Sequence, residues 1–169
     1  MRHARLRYQR NASVLHASEH PNMMNGGAMF NGVADLRLDH VGVQVRDLRT
    51  AIDAFTKFFG YRQATEAIVN TRHGVEVVFL EKTGSMPLKL ICPVGQDAPG
   101  ATKLHHLAFR TEDIERAVQA LREQGARVLS PPAPGEAFDD EPIAFLFAGG
   151  LNIELVSTDR RRGRLLPRE

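Results

Sequence analysis

The sequence repeats itself once, and this repeat restricts the possible fold more than any other feature of the chain. Residues 39–48 (DHVGVQVRDL) resemble residues 105–114 (HHLAFRTEDI), and the matched positions lie 66 residues apart. The similarity continues through the apolar residues that follow both stretches. Because a repeat of this length corresponds to one supersecondary unit, the two copies predict two similar modules within a single domain.

Each copy begins as a strand that leads into a helix. The first strand alternates between two faces, with His40 on the face opposite to its valine neighbours. Asp47 and Asp113 are predicted to cap the N-termini of the two helices. Apolar residues recur at helical spacing behind both caps, and Gly60 and Gly125 match the position that follows the last turn.

Three strand-like runs follow each helix, so each half is predicted to be a βαβββ unit. The runs are Tyr61–Glu66, Val75–Glu81 and Pro87–Cys92 in the first half, and Arg127–Ser130, Pro142–Phe147 and Asn152–Ser157 in the second. Glycine and proline residues separate the runs. We predict a linker at Pro93–Lys103, and a long loop at Pro131–Glu141 that is a candidate lid.

These patterns divide the chain into three parts. Residues 1–35 are polar and aperiodic, and are predicted to be a flexible leader or arm. Residues 36–157 form the predicted domain, with modules at about 36–93 and 103–157. Residues 158–169 form a basic C-terminal tail that contains five arginines.

The composition excludes several classes of protein. The 169 residues are 43% hydrophobic and 25% charged, as in an ordinary globular domain. The single cysteine, Cys92, rules out an internal disulfide and indicates a reducing compartment. No run approaches the ~20 apolar residues of a membrane span. We therefore expect a cytoplasmic protein that binds no membrane, and the lack of a basic, aromatic stripe argues against nucleic acid as a partner.

The repeat also predicts the functional site, because equivalent positions of a two-fold repeat face each other across a pseudo-symmetric cavity. His40 and His106 are equivalent, and alignment of residues 88–91 with 153–156 makes Lys89 equivalent to Glu154. A charged residue within an apolar strand is costly unless it is paired or coordinated. We therefore predict that these four side chains point into one cavity.

Three motifs resemble signatures of the vicinal-oxygen-chelate (glyoxalase/bleomycin resistance/extradiol dioxygenase) superfamily. They are residues 38–43 (LDHVGV), 104–109 (LHHLAF) and 153–156 (IELV). Residues 73–80 (HGVEVVFL) further resemble methylmalonyl-CoA epimerases, to which the likeness is closest. The resemblance covers about residues 36–157. It implies an α+β, glyoxalase-like fold, in which two βαβββ modules curl into an open, barrel-like cup.

The resemblance also implies a divalent metal that is held by one residue from each of four strands. By position, the ligands are His40, His106 and Glu154, a set that suits zinc, cobalt, manganese, nickel or iron. The fourth position holds Lys89, whose ammonium group has no lone pair to donate. Either the metal stays on three ligands and Lys89 stabilises charge or donates a proton beside the substrate, or Lys89 pairs with Glu154 in place of the metal.

The likeness to epimerases implies a metal-assisted isomerase or lyase that moves a proton at the carbon next to a carbonyl or thioester group. Such chemistry needs a base on each face of that carbon and an electrophile at the enolate oxygen. The predicted catalytic residues are Glu154, Lys89 and Glu76, with His105 at the cavity rim. The role of Glu76 depends on a strand register that the sequence leaves open by one residue.

Two other functions stay open. One is a metal-free small-molecule-binding protein of the bleomycin-resistance kind, with a Lys89–Glu154 ion pair in the cavity. The other is a ring-cleaving dioxygenase with iron on two histidines and a carboxylate, which ranks last because few further histidines are available for acid–base chemistry. In each case we expect a small-molecule substrate or ligand, and a homodimer, because many two-module members of the superfamily dimerise.

Overall fold

The strands of both repeats assemble side by side into one open sheet. A computed structural model describes residues 35–95 and 102–165 of the chain. The first module contains β1 (Arg37–Gln44), α1 (Leu48–Phe59), β2 (Arg62–Gln63), β3 (Ile68–Asn70), β4 (Val75–Glu81) and β5 (Leu88–Pro93). The second contains β6 (Lys103–Arg110), α2 (Ile114–Glu123), β7 (Arg127–Pro134), a 3-10 turn (Glu136–Phe138), β8 (Pro142–Ala148) and β9 (Leu151–Val156). The predicted leader lies outside the described residues except for Asp35.

The strand order across the sheet is β2-β4-β5-β1-β6-β9-β8-β7, and β3 also pairs with β4. The first strands of the two modules, β1 and β6, pair antiparallel at the centre. On either side of them, β5 runs parallel to β1 and β9 runs parallel to β6. Outward from the centre, the first half has the order β1-β5-β4-β2 and the second half has the equivalent order β6-β9-β8-β7. This order confirms the two predicted βαβββ modules and the open, unclosed sheet.

The strand register preserves the repeat at the level of single residues. Gly42 pairs with His106 across the centre of the sheet and with Lys89 in β5. In the second module, Ala108 pairs in the same parallel way with Glu154 in β9. Residues 42 and 108 are equivalent in the repeat, so the register makes Lys89 and Glu154 equivalent, as the sequence alignment predicted.

Both helices begin at the predicted caps. The Asp47 carboxylate accepts a hydrogen bond from the backbone N–H of Thr50 at 2.7 Å, and Asp113 accepts one from Arg116 at 3.0 Å. Gly60 ends α1 with a φ of 72°, a conformation that glycine adopts without strain. Each helix packs its apolar face against the outer side of its own module. No helix in the described part of the chain is long and apolar enough to cross a bilayer.

The first module departs from the predicted strand Tyr61–Glu66. In its place β2 and β3 are two short strands on β4, separated by a segment in which Ala64 and Thr65 are fully buried. The Ala64 carbonyl accepts a hydrogen bond from the N–H of Leu165 at 2.7 Å. Leu165 of the carboxyl-terminal segment therefore binds a backbone carbonyl that would bind a neighbouring strand if Tyr61–Glu66 were a continuous strand.

The prediction of a loop at Pro131–Glu141 is wrong in its first part. The edge strand β7 continues to Pro134, with register irregularities on both sides of Ser130. Proline cannot donate to a strand ladder, but an edge strand needs hydrogen bonds on one side only. The remainder of the segment forms the 3-10 turn, which buries Phe138 completely inside the cup.

The described part of the predicted basic tail contacts both modules, and the N–H of Arg162 donates to the Ala137 carbonyl of the second module at 3.1 Å. The N–H of Glu66 donates to the Gly163 carbonyl at 2.7 Å. The Arg164 guanidinium donates two hydrogen bonds to the Glu81 carboxylate, at 2.8 and 3.0 Å. Arg161 is only 8% exposed. Residues 161–165 are therefore packed against the folded domain, and Arg161 contributes to its interior.

Candidate functional site

Four predicted side chains meet on the inner face of the sheet, where the two modules join. His40 lies on β1 and His106 on β6, whereas Lys89 and Glu154 come from the neighbouring strands β5 and β9. Their exposed fractions are between 0% and 4%. Polar groups tolerate such burial only when they bind one another or a ligand.

The Glu154 carboxylate is the centre of this cluster. The ammonium group of Lys89 donates to Oε1 at 2.9 Å and to Oε2 at 3.0 Å. The Nε2 atoms of His40 and His106 lie 3.0 and 2.9 Å from Oε2. Burial alone raises the pKa of Glu154, but the charge of Lys89 and the bonds to both histidines hold it well below its ordinary value. Glu154 is therefore ionised, and the predicted Lys89–Glu154 ion pair is present.

His40 lies between two carboxylates. Its Nδ1 is 3.0 Å from Oδ2 of Asp39, and its Nε2 is 3.0 Å from Oε2 of Glu154. A neutral imidazole that donates from Nδ1 to Asp39 directs the Nε2 lone pair at the Glu154 oxygen. The opposite tautomer donates from Nε2 to Glu154 and turns its Nδ1 lone pair toward Asp39. Metal-binding histidines commonly have such a carboxylate at their second nitrogen.

His106 continues the cluster toward His105. The Nδ1 atoms of these two residues are 2.8 Å apart, so one of them donates to the other. Burial lowers the pKa of His106 to about 4, and it also lowers the pKa of His105 and of the more exposed His73. All three imidazoles are therefore neutral at neutral pH. A neutral His106 that donates from Nε2 to Glu154 accepts at Nδ1 from His105, which leaves the Nε2 lone pair of His105 able to accept a proton.

A second ion pair, which the sequence analysis did not predict, closes the cluster on one side. The Arg161 guanidinium binds Oδ2 of Asp39, the oxygen that His40 also contacts. The guanidinium carbon lies 4.6 and 4.7 Å from the ring centroids of Phe79 and Phe138. Burial raises the pKa of Asp39, but the bond to His40 and the charge of Arg161 hold it below its ordinary value. The domain thus buries two carboxylates and two cations side by side.

The sequence contains little that marks this second pair. Arg161 is the middle residue of three consecutive arginines, and no pattern distinguishes it from Arg160 or Arg162. Phe138 gave a weak signal, because it is the one aromatic residue in the polar segment 131–141.

On its other side the cluster borders a cavity of about 360 Å³. Lys89 and His106 line this cavity, whereas His40 and Glu154 are not among the lining residues. The other polar residues of the lining are Asn70, His73, His105, Ser130 and Asn152. His105, which was predicted at the cavity rim, is therefore one of the lining residues.

Glu76, the second predicted base, lies on the opposite face of β4. Its neighbours Val75 and Val77 line the cavity, and successive residues of a strand point to opposite faces. Val78 and Leu80, which share the face of Glu76, pack in the cluster that includes α1. The prediction of Glu76 as a catalytic base is therefore wrong, because the strand adopts the register that turns its side chain away from the cavity.

Three donor atoms of the cluster have the spacing of metal ligands. The two histidine Nε2 atoms are 3.3 Å apart, and each lies within 3.0 Å of Oε2 of Glu154. Ligands at ~2.0–2.2 Å from a metal are separated by about 2.9–3.4 Å at ordinary coordination angles. His40, His106 and Glu154 therefore form a possible His-His-Glu metal site. Lys89 does not fit this use, because its ammonium group binds the same carboxylate and repels a cation.

The ring of His106 lies directly against Gly42, and this contact gives a first prediction. A Cβ atom at residue 42 would approach three atoms of the ring to between 2.4 and 2.6 Å. We expect Gly42→Ala to displace His106 and to lower the free energy of unfolding by about 1–3 kcal/mol. Urea denaturation measures this change. An alanine variant as stable as the unmodified protein would show that the ring has room to move.

The low pKa of His106 gives a second prediction, which concerns how the free energy of unfolding depends on pH. An unfolded histidine binds its proton near pH 6.5, whereas folded His106 does so only near pH 4. Between these values the unfolded state holds more protons, so the free energy of unfolding falls as the pH falls, by about 3 kcal/mol in total. Urea denaturation across this range, with a chelator present, measures the slope. We expect His106→Gln to reduce the slope of the free energy of unfolding against pH. The matched variant His73→Gln is expected to retain most of this slope.

Comparison with known proteins agrees with this geometry. Residues 39–145 match the Glyoxalase/Bleomycin resistance protein/Dioxygenase superfamily. The mitochondrial methylmalonyl-CoA epimerase of Homo sapiens is 32% identical over 130 residues, which cover 70% of this chain and 72% of the human protein. The crystal structure of methylmalonyl-CoA epimerase from Mycobacterium tuberculosis has a TM-score of 0.62 at 28% identity, covering 80% of this chain and 93% of that one.

A further solved structure, of a methylmalonyl-CoA epimerase in complex with methylmalonyl-CoA and NH4+, has a TM-score of 0.61 at 26% identity. It covers 73% of this chain and 94% of its own. These similarities confirm both the superfamily and the likeness to epimerases that the sequence motifs indicated. The chain belongs to the glyoxalase/bleomycin resistance protein/dioxygenase superfamily.

Proposed function

We propose that this protein catalyses proton transfer at the carbon next to the carbonyl of a small thioester or carbonyl compound, as an epimerase of the methylmalonyl-CoA type. The observation that carries the proposal is the buried cluster beneath the cavity, in which Lys89 and His106 meet the space a substrate would occupy. The similarity to methylmalonyl-CoA epimerases supports the reaction class. A CoA thioester as the substrate is the finer part of the proposal.

The reaction requires positive charge where the enolate oxygen forms. Lys89 provides it at the cavity, because its ammonium group is fixed by Glu154 and reaches the lining. A fixed donor in a buried site stabilises a developing oxyanion more than water does. A divalent metal on His40, His106 and Glu154 would, when bound, polarise the same carbonyl.

The reaction also requires bases that can remove and return the proton. Glu154 was predicted for this role, but both of its oxygens are already bound and it does not line the cavity. We assign it the role of holding Lys89. His73 and His105 line the cavity, have pKa values lowered by burial, and come from different modules. They are the proposed bases on the two sides of the substrate.

Deuterium exchange tests this proposal. The protein is incubated in D2O with methylmalonyl-CoA and a panel of other α-substituted thioesters, and mass spectrometry follows the incorporation of one deuteron at the α-carbon. We expect Lys89→Met to lower the exchange rate by ~10²–10³-fold. The matched variant Lys57→Met, at an exposed position of α1, is expected to keep the rate. Absence of exchange with every thioester would remove the proposal.

A second candidate is a metal-free small-molecule-binding protein, which the Lys89–Glu154 ion pair favours. The same experiment separates the two, because a binding protein would retain a thioester without exchanging its proton. The cytoplasmic location and the homodimer stay predictions, which cell fractionation and light scattering would test.

A further inference from the structure

We infer that Lys89 is the resident cation of this site, and that its ammonium group excludes a divalent metal from the donors His40, His106 and Glu154. The catalytic use of this charge rests on the proposed function. The exclusion of the metal rests on contacts and charges alone, so the two can fail separately.

The first support is the competition for Glu154. A cation shared by the two histidines and the carboxylate would bind Oε2, the oxygen that both imidazoles contact. Lys89 lies 3.0 Å from this oxygen and 2.9 Å from Oε1. Two cations on one buried carboxylate repel each other strongly, because little solvent is present to screen them.

The second support is the surface that holds the ammonium group in place. The Nζ atom of Lys89 lies 4.8 Å from the ring centroid of Phe138 and 5.8 Å from that of Phe79. Aromatic faces attract a cation, most strongly where water is excluded. Both rings are buried and the Lys89 side chain is 5% exposed, so these contacts hold the ammonium group beside Glu154.

The third support is the charge balance of the cluster. Lys89 and Arg161 carry two positive charges, and Asp39 and Glu154 carry two negative ones, all within contact of one another or of His40. The four charges cancel without an added ion. A divalent metal would bring two uncompensated positive charges into the domain interior, which is unfavourable.

Zinc titration tests the inference. Isothermal titration calorimetry is performed with ZnCl2 on the chelator-treated wild-type protein, on Lys89→Gln and on the exposed control Lys57→Gln. Without the ammonium group the cluster carries a net negative charge, and we expect Lys89→Gln to bind one equivalent of zinc on the order of 100-fold more tightly than the other two proteins. Adding His106→Gln to Lys89→Gln is expected to abolish this binding, which places the ion at the cluster.

Equal zinc affinity of wild type and Lys89→Gln, whether tight or weak, would overturn the inference. Tight zinc binding by the wild-type protein, if His106→Gln removed it, would also overturn the inference, even if Lys89→Gln did not fold. Lys89→Met provides a second test of the same charge. The titration contains no thioester. A failed exchange assay with zinc still excluded would therefore remove the proposed function and leave the inference standing.

Discussion

The Glu154→Gln substitution is expected to lower the free energy of unfolding by about 3–5 kcal/mol relative to the wild-type protein. The amide preserves the shape of the side chain but not its charge, so the Lys89 ammonium group stays buried without the carboxylate that it binds. The amide also leaves only one acceptor oxygen for Lys89 and the two histidines, which the carboxylate serves with two. Chemical denaturation followed by circular dichroism measures the difference.

Glu76→Gln is the matched control for this substitution. It makes the same chemical change on a strand of the same sheet, but on the face away from the cavity, and we expect it to change the free energy of unfolding by less than about 0.5 kcal/mol. It also tests the two predicted bases against each other, because deuterium exchange should be lost in Glu154→Gln and retained in Glu76→Gln. The reverse pattern would contradict the assignment of the cluster as the functional site.

A double-mutant cycle isolates the ion pair itself. Lys89→Met also leaves one charge buried without its partner, whereas Lys89→Met combined with Glu154→Gln leaves neither. We therefore expect the double variant to be more stable than the sum of the single effects predicts, by about 1–3 kcal/mol. Simple additivity would mean that the two charges do not depend on each other.

The second large effect is expected for Arg161→Met, which should lower the free energy of unfolding by about 3 kcal/mol. The substitution retains an apolar side chain between Phe79 and Phe138, but it leaves the buried Asp39 carboxylate without its guanidinium partner. Asp39 in turn contacts Nδ1 of His40, so the orientation of that imidazole is expected to loosen.

Arg160→Met is the control for this variant. Arg160 precedes Arg161 in the chain but is half exposed, and its ion pair with Glu141 lies at the surface, where such pairs contribute little. We expect a loss of less than about 1 kcal/mol there. Replacing Asp39 by asparagine in Arg161→Met should recover part of the lost stability, because no buried charge then stays unpaired. Equal effects at residues 160 and 161 would contradict the role given to the buried guanidinium.

The parts of this structure that the sequence predicted are those set by local pattern and by the repeat. Alternation of apolar residues fixes the face of a strand, and aspartates before an apolar helical run fix where α1 and α2 begin. Because residues 39–48 match residues 105–114 at a constant offset of 66, the register of the central strands also follows, and the alignment of residues 88–91 with 153–156 makes Lys89 equivalent to Glu154.

The parts that were missed depend on contacts between distant segments. Glu76 was proposed as a base although the sequence left the register of β4 open by one residue, and a shift of one residue moves every side chain of a strand to the opposite face. Arg161 is buried by Asp39 and two aromatic rings that lie far from it in the sequence. Phe138 reaches the cup because the chain after β7 folds inward, which a segment rich in proline and aspartate does not reveal.

Conversion of a single stereoisomer tests the role of Lys89 as the cation of the site. One stereoisomer of methylmalonyl-CoA is incubated with the wild-type protein in the presence of EDTA, and chiral analysis follows the appearance of the other. With Lys89 as the cation and histidines as bases, inversion is expected to proceed without added metal and to be lost in Lys89→Met. Retention of the starting stereoisomer in EDTA would contradict this role of Lys89, whether or not added zinc restores inversion.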